Sequence, residues 1–420
     1  MKKIITLMLV LALTLSLVFA LSSCGETVNT DTGTSTETEA EQATDKGTES
    51  ATDTESGTKT EVESDTSADT ESDTDVESDT KTEATESKGL ALKLDPTTDT
   101  YKVVGIGVCK DSTLIIPNKH NGKNVTSIED FAFENCDTIT SVVIPSNILT
   151  IGTLAFEECI NLNSIVLGEG VVSIGEYAFS ECYKLLEVYN LSNLSITIND
   201  TEEINGGLGY YAKVVNTSLQ KESIISTTDD GYVYAAINED EIYLIDYIGY
   251  DLFNYNLPKS YNGKNYEIYQ FAFYCEKYLE TVYIPSAVSV IGKEAFFNCD
   301  LLTSVTIDVG IREIHSEAFS GCNNLKSINL PNSIISIQDR AFRGTDLSNI
   351  FIPTSVENME ESIFDDCDGV IIFCESEIKP NGWSSSWDYM NRPVYWYSEN
   401  KPTGEGNYWH YVDGKIVIWE

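Results

Sequence analysis

The chain has 420 residues and a formal net charge of −41 at pH 7, with a pI near 4.2. Nucleic acid requires Lys and Arg against its phosphates and anionic lipid attracts basic segments, so this charge balance excludes both as electrostatic partners. The length accommodates one elongated core or two to three ordinary domains.

Residues 1–24 read as an address. Lys2 and Lys3 precede an apolar run from Ile4 to Leu21, followed by Ser22, Ser23 and Cys24. A positive start and an apolar core make a secretory signal. The stretch "LSSC" resembles a bacterial lipobox, which implies cleavage before Cys24 and lipidation of its thiol. Residues 25–90 then hold 26 Ser or Thr, 20 Asp or Glu, four Lys and no aromatic side chain. With so little to bury, this segment does not offset its conformational entropy, and its charge extends it. It is expected to be a disordered acidic tether.

Next comes a repeat. The Phe of an Ala-Phe or equivalent pair falls at 133, 156 and 179, then at 273, 296, 319, 342 and 364. The spacing is 23 residues, and 22 at the last step. Five residues before the Phe stand Ile128, Ile151, Ile174, Ile268, Ile291, Ile314, Ile337 and Met359. Six after it stand Ile139, Leu162, Leu185, Leu279, Leu302 and Leu325. The run L-x-x-V-x-I that follows has the alternation of a half-buried strand, and the part around Ala-Phe is expected to form one or two helical turns. One such unit cannot bury its apolar face alone. Stacked units share a continuous core, which is a solenoid.

Cys136, Cys159, Cys182, Cys299, Cys322 and Cys367 each sit three residues after the Phe. In a stack with a rung spacing of about 4.8 Å, equivalent side chains run parallel. Parallel Cβ vectors do not converge on a disulfide or on a tetrahedral metal. Thr345 takes the position in one rung and Cys275 comes one place early in another, which a packing position tolerates and a ligand set does not. These cysteines are expected to be small buried hydrophobes.

The composite pattern I-x-x-I-G-x-x-A-F-x-x-C-x-x-L-x-S-V-x-I-P resembles the BspA-type leucine-rich repeat over Val125–Asn190 and Ile268–Cys374. That resemblance implies a right-handed solenoid displayed outside the cell, adhesion or matrix binding, and no enzymatic activity.

"LIIPNKHNGKNVTSI" (114–128) and "YNLPKSYNGKNYEI" (255–268) repeat one device, each with an Asn-Gly suited to a tight turn. A second array therefore starts afresh. The expected organisation is residues 1–24 as signal, 25–90 as tether, 91–226 and 227–375 as two arrays with caps, and 376–420 as an aromatic C-terminal cap. In fold class this is an α/β, strand-dominated leucine-rich-repeat solenoid with short helical turns, its two arrays end to end. The last segment carries all five tryptophans, which suit a cap or a sugar-stacking platform.

His120, His315 and His410 stand at unrelated positions, and no hydrolase, metalloprotease or phosphate-loop motif is present. The reading is therefore a lipid-anchored monomeric binding protein on the bacterial surface, with no cofactor or metal and with a protein or glycan partner. A glycan-directed enzyme or carbohydrate binder using the Trp-rich segment is one alternative, and a passive spacer is another. On each ladder strand the middle residue is expected to face solvent. The candidate partner column is Val143, Val166, Tyr189, Tyr283, Thr306, Asn329 and Phe351.

Overall fold

The computed structural model describes residues 85–420, so the signal, Cys24 and most of the tether lie outside the described residues. Within 85–420 the chain winds into a strand-dominated solenoid, each rung contributing a ladder strand, a turn, a short back strand and an arc that carries the Phe. In the first array the parallel ladder runs Thr113–Ile115, Ser141–Ile144, Ser164–Leu167, Glu187–Asn190 and Val214–Asn216. In the second it runs Asn254–Asn256, Thr281–Ile284, Ser304–Ile307 and Ser327–Ile328. A further sheet begins at Asn349–Ile352 and Ile371–Cys374. Back strands such as Thr150–Ile151 and Glu313–Ile314 pair in parallel on the opposite side.

Alternation decides what is inside. Val142, Ile144, Ile165 and Leu167 point into one core, and Val282, Ile284, Val305 and Ile307 into another. The repeated Phe rings stack along each axis. Centroids are 4.8 and 5.1 Å apart from Phe133 through Phe179, and 5.1 to 5.8 Å apart from Phe273 through Phe364.

The Ala-Phe segment is not helical, which corrects the expectation of helical turns there. Alternate amides in the arc donate to the next rung instead of up their own segment. Phe133 N bonds Ala155 O at 2.7 Å, and Asn135 N bonds Glu157 O at 2.8 Å. Aiming them that way requires positive φ two residues before and two after the Phe, as at Leu154 and Glu158 or Glu294 and Asn298. A non-glycine residue there costs about 1–2 kcal/mol, which the inter-rung bonds offset. Among the described residues the only α-helix is Leu208–Tyr211, and it closes the first core with Leu208, Tyr211 and Ala212.

The cysteine column is buried at Cys159, Cys182, Cys299, Cys322 and Cys367 and half-buried at Cys136. Each buried thiol donates to the Phe carbonyl of the preceding rung, at 2.9 to 3.2 Å. The column therefore stitches as well as fills.

Both Asn-Gly turns form tight hairpins, with φ of 48° and 79° at Asn121-Gly122 and 49° and 76° at Asn262-Gly263. Residues 86–90, counted with the tether by composition, are docked instead. Ser87 exchanges bonds with the main chain of Ile115, and Leu90 enters the first core. The arrays meet where Tyr183 stacks on Phe271, with centroids 4.1 Å apart. Beside that stack the Lys184 amine bonds Asn161 Oδ1 at 2.9 Å and Ala272 O at 3.1 Å.

Candidate partner-binding face

The outward positions of the ladder strands form two columns. In the second array the first column is Asn254, Thr281, Ser304, Ser327 and Asn349. The second has Asn256, Tyr283 and Thr306 in register, Asn329 and Phe351 at the same repeat position, and, in the next sheet, Phe373 and Tyr395 in register with Phe351. Thr306 and Asn329 are exposed, while Tyr283 and Phe351 are half-buried. Tyr283 donates its hydroxyl to Asp308, and that bond raises the phenol's pKa. The Asn329 side-chain amide closes on the neighbouring strand, accepting from Ile307 N at 2.9 Å and donating to Ile307 O at 2.7 Å. Phe351 meets the edge of Trp409 at 5.6 Å, and Phe373 stacks on Tyr395 at 5.5 Å. The face thus passes from hydroxyls and amides to aromatic rings. Phe373 and Tyr395 were missed in the sequence because the series of repeat Phe residues ends at Phe364, although Phe373 keeps the 22-residue step from Phe351.

The first array differs. Val143, Val166 and Tyr189 were expected to face water, and they are 7 %, 2 % and 0 % exposed. Leu219 joins them in one apolar cluster, with Ile115 and Leu191 at the margin. The reason is a crossing segment, residues 217–223, that carries no repeat signature. Beside it Glu187 is fully buried on the first outward column, in register with Ser164 and Ser141. Its carboxylate accepts from Asn216 Nδ2 at 3.0 Å, Ser223 Oγ at 2.7 Å and the Ile224 amide at 3.5 Å. Burial raises its pKa, and these donors pull the other way.

The histidines stay separate in role. His120 packs edge-on to Tyr101, His315 bonds Glu313 at 3.0 Å, and His410 stacks on Trp419 at 3.6 Å. Among the described residues no group of three or more His, Cys, Asp or Glu is placed to hold a metal ion. Of the tryptophans, Trp383, Trp387 and Trp409 are buried. The Trp383 and Trp409 indoles donate to Val356 O and Cys374 O, and Trp387 meets Phe364 at the end of the ring stack.

A two-sided parallel ladder with stacked Phe arcs and one open face defines a leucine-rich-repeat protein. The sequence matches the BspA type leucine rich repeat region in six copies over residues 109–202 and 246–372, more than half of the chain, and the protein belongs to that family. Three solved structures are similar to it. A leucine rich cell surface protein from Faecalibacterium prausnitzii is 22 % identical, with a TM-score of 0.36, over 73 % of this chain and 96 % of that one. A leucine-rich repeat protein from Bacteroides ovatus is 23 % identical, with a TM-score of 0.32, over 73 % and 70 %. The pneumococcal vaccine antigen PcpA is 18 % identical, with a TM-score of 0.40, over 69 % and 74 %. No curated protein matches the sequence.

Proposed function

We propose that the protein is a lipid-anchored binding protein of the bacterial cell surface, and that its partner, a protein or a glycan, docks on the open ladder face of the second array. The observation that carries this is the row of outward polar groups on that ladder, followed by a row of aromatic rings on the next sheet. Outward hydroxyls and amides run in register from Asn254 to Ser327, and the sheet that follows carries Phe351, Phe373 and Tyr395 in register with one another. Held side by side on a stiff ladder, such groups lose little freedom on binding, and aromatic anchors dominate contact energies. The face binds rather than reacts, because its side chains are hydroxyls, amides and rings tied to the frame. The lipobox-like "LSSC" and the family support a position outside the cell, with Cys24 as the anchor.

Two measurements test the reading. A binding screen of the mature chain against glycans and matrix proteins identifies the partner. Tyr283→Ser combined with Thr306→Arg should then weaken binding by at least about tenfold, the scale of one or two lost contacts, with an unchanged melting curve. Undiminished affinity places the site elsewhere. Metabolic labelling with a fatty-acid analogue should be lost in Cys24→Ala, together with membrane retention.

A further inference from the structure

The segment over the first array is held unusually lightly. None of residues 217–223 makes a backbone–backbone hydrogen bond. Thr217, Ser218, Gln220, Lys221 and Glu222 are exposed, and only Leu219 is buried. Two attachments therefore hold it: the Leu219 side chain among Val143, Val166 and Tyr189, and the Glu187 carboxylate that receives Ser223 and Ile224. Segments with few apolar contacts and no ladder bonds open locally while their scaffold stays folded. The ladder beneath does not depend on them, because its strands pair with one another from Thr113–Ile115 to Val214–Asn216. The equivalent face of the second array is open.

We propose that residues 217–223 are a displaceable strap occupying, in cis, a peptide-binding face on the first array. The ligand that replaces the strap is an extended peptide with its chemistry, a branched apolar side chain followed four residues later by a hydroxyl. Leu219 marks the apolar seat, and Glu187 reads the hydroxyl and the amide beyond it. With the strap in place the array is closed to partners. When it opens, Ile115, Val143, Val166 and Tyr189 form a partly apolar stripe of the kind that marks interaction sites.

The proposal rests on the ladder face being a partner surface, but its test needs no natural partner, so its failure is distinct from that of the Tyr283 and Thr306 experiment. In the full chain, Val166→Cys places a thiol under the strap, and alkylation is followed peptide by peptide. That thiol should react at least about 100-fold faster than Cys159 and Cys182 in the core, because it needs only local opening. Adding Leu219→Ser should raise its rate about tenfold more, as expected for losing the main apolar hold. A synthetic peptide of residues 216–224 should slow that variant again, and the same peptide with Ser in place of the Leu should not. A thiol no faster than Cys159, a rate indifferent to Leu219→Ser, or a peptide without effect overturns the proposal. Exposure of Cys159 and Cys182 in the Leu219→Ser variant also overturns it, because the strap would then be part of the core.

Discussion

At the level of single residues, the position three after each Phe shows how one place in a rung serves packing and hydrogen bonding together. A thiol there fills a small volume and donates to a Phe carbonyl one rung back. Burial pushes the Cys136 thiol up to about 11 and raises those of Cys159, Cys182, Cys299 and Cys367, so these stay protonated and unreactive near neutrality. Removing the sulfur of Cys322 loses both its bond to Phe296 O at 3.0 Å and its contacts. Cys322→Ala should cost about 1–2 kcal/mol in urea denaturation. Cys322→Ser should cost less, since a hydroxyl still reaches the carbonyl. The periodicity made this column legible, and its burial is as expected. The thiol–carbonyl bonds were not legible, because they run between rungs and depend on the stacking offset. The early Cys275 has its own consequence. It leaves Glu276 in the column position of that rung, beside Cys299 and next to the first array.

Among the elements, the ends of the ring stack matter most. In the second array each Phe is covered by the Phe of the next rung, and the last, Phe364, by Trp387 at 6.4 Å. Trp383 braces Trp387 at 5.0 Å, and Arg392 ties the same segment to Asp388 and to Cys367 O. Trp387→Ala should remove about 3–5 kcal/mol, the usual cost of truncating a buried aromatic. Calorimetry should show the loss as an earlier transition of the second array, while the first, with its own core, unfolds where it did. The strands and Asn-Gly hairpins could be read from alternation and turn chemistry, which act within a few residues. The Ala-Phe arc could not, because its amides choose partners 22 residues away and override the local helical tendency.

For the whole molecule, the junction between arrays couples stability to pH. Glu276 is raised from 4.5 to about 7, first by burial and then by Asp246, with Lys184 and the Tyr255 hydroxyl opposing. A folded pKa above the unfolded one means that the stabilisation is complete below about 4.5 and is lost as pH rises through about 7. The protein should therefore lose about 1–3 kcal/mol between pH 5 and pH 8. Glu276→Gln should flatten that dependence in melting curves recorded across the range, and an unchanged slope assigns it to other groups. The Tyr183–Phe271 stack and the buried Lys184 amine place this titration where the arrays touch.

What the sequence determined by itself was the rung: its period, its inward face, its column of small residues and its two starts. Those properties repeat, and a side chain's place in a repeating strand follows from parity alone. The tertiary structure decided which outward faces remain open. Val143, Val166 and Tyr189 have the same parity as Tyr283 and Thr306, yet one set is covered and the other is not. The cover is residues 217–223, a non-repeating stretch that reaches back over strands up to about 75 residues earlier. Such a contact leaves no period in the sequence, since a single Leu inserted between neighbours has nothing to recur with. The docking of Ser87 and Leu90 was hidden for the same reason: a polar, acidic composition describes a segment's average, whereas two residues sufficed to bind its end to the first array.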